Sequence, residues 1–166
     1  MALKADRHEL QTDISFFYDA GVATRGGVVM HDASNVGSGA AMDQGVNLVK
    51  YVVATTAMVP VGILLNDVVN KDLTRTHLNH FKDEVQKGGK VTILRKGYVV
   101  TSSIDSVTIA AGDVAYASMA AAGNLTNISE DATGSGNLAV GRFLSKLDED
   151  GYAKVEVNLP NHGPLA

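Results

Sequence analysis

Apolar positions along the 166-residue chain fall in short runs or in strict alternation, separated by glycine and by Asn, Asp and Ser. That pattern predicts short β-strands. Asp13-Ile14-Ser15-Phe16-Phe17-Tyr18 alternates, which puts Ile14, Phe16 and Tyr18 on one face of a first strand. Gly26-Gly27 leads into a strand over Val28-Val29-Met30, and residues 32–45 form a loop of turn formers. Val46 to Ala54 and Val61 to Leu65 read as buried strands parted at Val59-Pro60. Beyond Gly89 the reading is β throughout: Val91 to Leu94, a turn at Lys96-Gly97, then Tyr98 to Thr101. Ala111-Gly112-Asp113 turns into a strand over Val114 to Ser118, and Gly123-Asn124 marks a further turn. After a loop over 129–137, Leu138 to Leu147 and Tyr152 to Leu159 form a hairpin around Asp148-Glu149-Asp150-Gly151, where glycine supplies the positive φ of a tight connection.

Two stretches break this pattern. Leu73, His77, Phe81 and Val85 recur every fourth residue ahead of Gly88-Gly89, which is helical spacing with a helix-ending signal. Thr74, Thr76, His77, Asn79 and His80 are mediocre helix formers, so residues 72–87 read either as one helix or as an irregular excursion from the sheet. Residues 1–12 are mostly polar with no clear period and read as an extended arm. The predicted fold is therefore mainly β, a small barrel or sandwich of short antiparallel strands, with either one helix or an irregular excursion near residues 72–87 and an extended N-terminal arm. Residues 1–18 hold the arm and first strand, and residues 19–166 form a single β-rich domain.

Composition narrows the function classes. Hydrophobic residues make up 45% and charged residues 19%, which fits a packed domain rather than a disordered chain. A chain of this length buries roughly 70% of its unfolded surface. The net charge is −4, and the 14 basic residues are scattered among 18 acidic ones, so no phosphate-binding patch and no nucleic-acid partner is predicted. There is no Cys, which excludes disulfides, thiolate nucleophiles and Cys-ligated zinc. Lys4, Asp6, Arg7 and Glu9 leave no apolar signal-peptide core at the N-terminus. The longest apolar run, Tyr51 to Leu65, is interrupted by Thr55, Thr56 and Pro60 and falls short of the roughly 20 residues that span a bilayer, so no membrane partner is predicted. The sequons at Asn124 and Asn127 carry no weight without a route to a glycosylating compartment.

Candidate chemistry is sparse. His77 and His80 stand three apart beside Asp83 and Glu84, but the zincin pattern needs a second His at the fourth position, and a polar segment with hydrogen-bonded His residues explains the run. Asp148, Glu149 and Asp150 faintly resemble a calcium loop, yet Tyr152-Ala153-Lys154-Val155 returns at once to strand alternation, as a solvated hairpin tip does. Gly37-Ser38-Gly39 and Gly134-Ser135-Gly136 lack the Lys-Ser/Thr of a phosphate-binding loop and do not match a nucleophile elbow. The sequence thus predicts no catalytic residue, no metal site, no cofactor and no enzyme. Phe16-Phe17-Tyr18 is different in kind, since three of the nine aromatics fall together beside the polar arm. A strand has two faces, so Phe16 and Phe17 cannot share one. Either both faces are covered inside the domain, or a partner or second subunit covers one, which makes Phe16, Phe17 and Tyr18 the candidate partner or oligomer contacts.

From Gly26 onward, the order of short motifs resembles the tailed-phage head decoration proteins, the capsid cement group with a β-tulip or similar small β-barrel. The motifs begin with Arg25-Gly26-Gly27-Val28-Val29, Pro60-Val61-Gly62-Ile63-Leu64-Leu65 and Asn66-Asp67-Val68-Val69-Asn70. Lys82-Asp83-Glu84-Val85-Gln86, Gly88-Gly89-Lys90-Val91 and Lys96-Gly97-Tyr98-Val99-Val100-Thr101 follow. Ala111-Gly112-Asp113-Val114-Ala115-Tyr116, Gly123-Asn124-Leu125-Thr126, Val140-Gly141-Arg142-Phe143-Leu144 and Asp148-Glu149-Asp150-Gly151-Tyr152-Ala153-Lys154-Val155 complete the order. The long N-terminal segment and the His-containing stretch 70–87 depart from it. The resemblance implies a structural virion protein without catalytic residues, made in the bacterial host cytoplasm. It would bind the major capsid protein on the outer surface of the shell, as a homotrimer, and stabilise the expanded head. A minor head or tail component and, from a different class, a small-molecule-binding β-barrel or metal-dependent hydrolase are the alternatives.

Overall fold

A computed structural model describes residues 2–18, 21–31, 47–51, 53–54, 58–70, 74, 83–105, 108–129 and 138–159. Its first half contains strands β1 (Leu3–Asp13), β2 (Phe17–Tyr18), β3 (Val28–His31), β4 (Leu48–Lys50), β5 (Pro60–Leu64) and β6 (Asp67–Val69). The second half contains β7 (Glu84–Gln86), β8 (Ile93–Thr101), β9 (Val114–Ala117), β10 (Leu125–Thr126), β11 (Leu138–Phe143) and β12 (Ala153–Asn158). Ten of these form one sheet in the order β10-β9-β11-β12-β8-β5-β3-β4-β2, with β1 joined to β8 off that path. β6 and β7 form a separate parallel pair, and β2 also runs parallel to β4, while the remaining pairs are antiparallel as predicted.

Strand β8 organises the sheet. Residues 93–94 pair with β5, and residues 96–101 pair with β12. β1 pairs along both stretches, Thr12 and Asp13 with Leu94 and Ile93, then Leu3 with Thr101 at the far end. β1 therefore occupies one edge of β8 over its whole length, and β5 and β12 share the other. The predicted turn at Lys96-Gly97 does not form, and β8 runs straight through it. Gly97 has φ of +137°, and a Cβ there would collide with the His8 carbonyl oxygen. The glycine that looked like a turn residue permits close approach of a neighbouring strand instead.

The central strands are buried on both faces. Val28, Met30, Ile63 and Leu94 pack into one apolar cluster with Val99, Ala115, Leu125, Val140, Phe143 and Val155. Their neighbours Val29, Val61, Leu64 and Ile93 pack into a second cluster with Tyr18, Val49, Val68 and Val91. Alternate residues of one strand enter different cores, which explains why Val28-Val29-Met30 and Pro60 to Leu65 are continuous apolar runs in the sequence. β12 has one wet face instead, so Ala153, Val155 and Val157 are buried while Glu156 and Asn158 are exposed.

The sheet is open, not a closed barrel. Its end strands do not pair with each other among the described residues, because the backbone beside each is already taken. Leu125 donates to the Ser103 carbonyl at 2.9 Å and accepts from Asp105 at 3.0 Å, while Tyr18 donates to the Gly89 carbonyl at 3.1 Å. The stretch read as a helix or an irregular excursion is strand over Glu84–Gln86, paired with Asp67–Val69, so a helix does not run through to residue 87. Residues 75–82 and 71–73 lie outside the described residues. The predicted arm is itself a strand, β1, and the predicted first strand is split, with Ile14 to Phe16 outside any strand.

Phe143 is fully buried and Leu10 is 70% exposed, so the two test where the stability of the fold resides. Phe143→Ala is expected to cost about 3–5 kcal/mol of folding free energy, and Leu10→Ala to stay within about 0.5 kcal/mol, in denaturant melts of the free protein. Equal effects of the two would contradict this core.

Candidate partner-binding surface

β1 is the most exposed strand of the described sheet. Leu3 is buried, 4% exposed, in the larger core, but every side chain from Ala5 to Thr12 is exposed. Both faces of the strand are wet, so no apolar alternation marks it in the sequence. Its outer edge pairs with no other described strand. Register shifts between Leu3 and Arg7 and around Leu10 place extra residues in β1, and such bulges twist an edge away from casual pairing. Two large apolar side chains nevertheless stand in water here, Leu10 at 70% and Ile14 at 62% exposure.

Polar contacts fasten β1 to the sheet beside its hydrogen-bond ladder. The Lys4 ammonium lies 2.6 Å from the Asp148 carboxylate and 4.2 Å above the Tyr152 ring. His8 packs on Tyr98 with ring centroids 5.7 Å apart, and the Lys154 ammonium sits 3.8 Å above the same Tyr98 ring and 3.9 Å from Asp6. At the C-terminal end Arg95 approaches Asp13 at 3.5 Å. Burial alone would raise the Asp13 carboxyl, but the hydrogen bonds from the Ser15 hydroxyl and backbone N–H, with Arg95, hold it below the ordinary aspartate range. Solvent screening keeps each of the exposed pairs weak. β1 is thus held by its ladder, by Leu3 and by several weak solvent-facing ties.

The aromatic triplet lies where the chain leaves β1. Tyr18 is fully enclosed in the smaller core, and burial pushes its phenol up to about 12. Phe16 packs against the same core and meets His31 edge-on at 6.4 Å between centroids, but it is only half-buried. Phe17 faces the other way, also half-buried, with the Lys90 ammonium 5.6 Å from its ring. Phe16 and Tyr18 share a core as the alternation predicts, while Ile14, expected on that face, is in water because the strand breaks at residues 14–16. Tyr51, whose placement the sequence does not foretell, fills a cradle between Gly27 and Gly123, where any Cβ would strike its ring.

The other sequence candidates do not converge. His77, His80 and the two Gly-Ser-Gly segments lie outside the described residues. Asp83 is 3.0 Å from the Arg25 guanidinium, which also lies 3.6 Å from Asp67 and so ties the β6–β7 pair to the 23–27 turn. Asp148 accepts from the backbone N–H groups of Asp150 and Tyr152 at 3.1 and 2.7 Å and from Lys4, which is the work of a hairpin tip. Among the described residues no group of three or more His, Asp or Glu side chains is placed to hold a metal ion.

The Lys4–Asp148 tie has a defined pH window. The hydrogen bond from Lys4, then that from the Tyr152 backbone, lowers the Asp148 pKa, and the Asp148 hydrogen bond raises that of Lys4. The carboxylate's contribution is complete above its ordinary value of 3.8 and is lost as pH falls through its lowered value; the ammonium's is complete below 10.5 and is lost as pH rises through its raised value. Amide exchange protection in β1 is therefore expected to hold across neutral pH and to fall, relative to β12, on acidification below 3.8. Lys4→Ala should shrink that acid step at the Leu3 end of β1 and leave the step at the other end, where Asp13 is also held below its ordinary range; an unchanged step at the Leu3 end would point to another group.

With this surface in view, the comparison with known families is informative. The family model for structural cement protein (E217 gp24/Pam3 gp6) matches residues 13–158, from the last residue of β1 to the end of β12. No curated protein matches the chain. The match spans every strand from β2 to β12 and leaves residues 1–12, nearly all of β1, and residues 159–166 outside it. The chain belongs to the phage structural cement protein family, and it is a structural protein of the phage capsid.

Proposed function

We propose that this protein binds the outer surface of the expanded phage capsid as a homotrimer, bridges neighbouring copies of the major capsid protein, and so stabilises the expanded head. The family match over residues 13–158 carries this reading. The exposed apolar surface at the junction of β1 and β2 supports it, since Leu10, Ile14 and the half-buried Phe16 and Phe17 lie within eight positions of one another in the chain. A protein that binds the expanded shell but not the compact one stabilises the former by linkage, because its binding free energy must be given up before the lattice reverts. A trimer fits three-fold and quasi-three-fold positions because its symmetry then matches that of its site. Synthesis in the host cytoplasm, before docking on the finished shell, belongs to the same reading. Phe16 and Phe17 make the partner contact, with Tyr18 as their anchor in the core.

Added to expanded capsids that lack it, the protein is expected to co-sediment saturably and to bind compact procapsids far less. Phe17→Ala should weaken capsid binding or trimerisation by about tenfold or more, at ~1.4 kcal/mol per decade, with little change in the thermal melt. Tyr18→Ala should lower the melting temperature instead. Equal binding to both shell forms would remove the stabilisation mechanism. A Phe17→Ala variant that melts lower yet binds normally would make Phe17 plain core.

A further inference from the structure

We propose that β1 is an exchanged arm: in the assembled protein, Leu3–Asp13 of one copy pairs along β8 of a second copy of this chain. The family match begins at Asp13 and covers every other strand, so β1 lies almost wholly outside the matched domain while it fills one edge of β8. Only Leu3 enters a core, and every side chain from Ala5 to Thr12 is exposed. The contacts that hold β1, the β8 ladder, Lys4 with Asp148 and Tyr152, and His8 on Tyr98, all lie on one continuous face of the recipient. A second copy offers the same face, so exchange conserves each hydrogen bond and ion pair and changes only the hinge.

The hinge is Ile14–Phe16, the non-strand step between β1 and β2. On its far side the chain is fixed to its own subunit, with Val91 donating to the Phe16 carbonyl at 3.1 Å and Gly88 to the Tyr18 carbonyl at 3.0 Å. Three residues reach at most ~10 Å, so the arms must cross between copies at the hinge itself. That crossing brings together the side chains left in water by a lone subunit, Ile14 and the exposed sides of Phe16 and Phe17. Three arms passed in one rotational sense close a ring, and subunits so linked separate only by unzipping β1 from β8. The inference takes the number of copies from the trimeric reading, but exchange itself does not depend on that number.

The chain has no cysteine, so one engineered pair reports the pairing directly. His8 and Tyr98 are direct antiparallel partners, and such partners lie ~4.5–5.5 Å apart at Cα, within the span of a disulfide. His8→Cys with Tyr98→Cys is oxidised in the full chain, both free and bound to expanded capsids, and run on a denaturing, non-reducing gel. Exchange predicts covalent multimers ending at the trimer, with loss of the monomer band. Cross-linked dimers as the end point would sustain exchange and overturn the trimer. Internally bridged monomers in both samples would overturn exchange, whatever becomes of capsid binding. If the pair does not oxidise, deletion of residues 2–12 decides: release of monomers supports exchange, and an unchanged oligomer overturns it.

Discussion

The hydrogen-bonding capacity of β8 is the constraint on which this architecture rests. A strand has two edges, and β8 fills both, β1 on one and β5 followed by β12 on the other. In the strand order β8 stands between the two halves of the sheet, so the ladder from β3 and β5 to β9, β11 and β12 runs through its nine residues. Gly97 makes the arrangement sterically workable, because any side chain there would occupy the position of the His8 carbonyl. β1 thus completes the sheet at its most important strand while adding little to the core.

That division has functional consequences. Strands β3 and β5 and the start of β8 spend their side chains on two cores at once, which leaves those strands no exposed face to offer a partner. The flank of the hairpin at Asp148–Gly151 is engaged by Lys4, and Asp83 by Arg25. Among the described residues, β1 and the step after it place exposed Leu10 and Ile14 close in the chain to the half-buried Phe16 and Phe17, while Val22, Val59, Ile128 and Leu144 are exposed elsewhere. For a structural protein of the capsid, the surfaces that become buried on assembly are where function is to be sought.

The legibility of the fold in the sequence follows the same physics. Where a strand has one wet face, as in β12, alternation reports it directly, and the Asp148–Gly151 hairpin was readable with its connecting turn. Where both faces are buried, as in β5, the run of apolar residues still signals a strand, though not its two-sided burial. β1 is the opposite case, wet on both faces, so its backbone pairing leaves no trace in side-chain polarity. Lys96-Gly97 misled for a related reason, since a glycine that admits a neighbouring backbone and one that turns the chain look alike in sequence. The parallel pairing of β6 and β7 joins residues 67–69 to 84–86, a non-local choice that the period-four spacing of Leu73, His77, Phe81 and Val85 obscured. The aromatic triplet was legible as a place of conflict, but which ring would be enclosed depended on a strand break that no residue there announces.

Weak individual contacts suit a cement protein. The ion pairs around β1 face solvent, and screening keeps each of them weak. A single copy held to a shell by contacts of this size would exchange freely. Copies joined to one another behave differently, because release of one contact leaves the others to hold the subunit at high effective concentration, and overall binding exceeds each part by orders of magnitude. On the proposed trimeric reading, linkage among copies, more than the strength of one interface, would set how firmly the protein holds to the shell. It also keeps each contact reversible during assembly, so that a misplaced subunit can leave before its neighbours arrive. A deeply apolar arm would bind more tightly per copy, but it would also associate before any shell was present. If β1 is exchanged as proposed, the polar composition of Lys4 to Thr12, which hid the strand from sequence analysis, keeps the detached arm compatible with water until a second copy receives it.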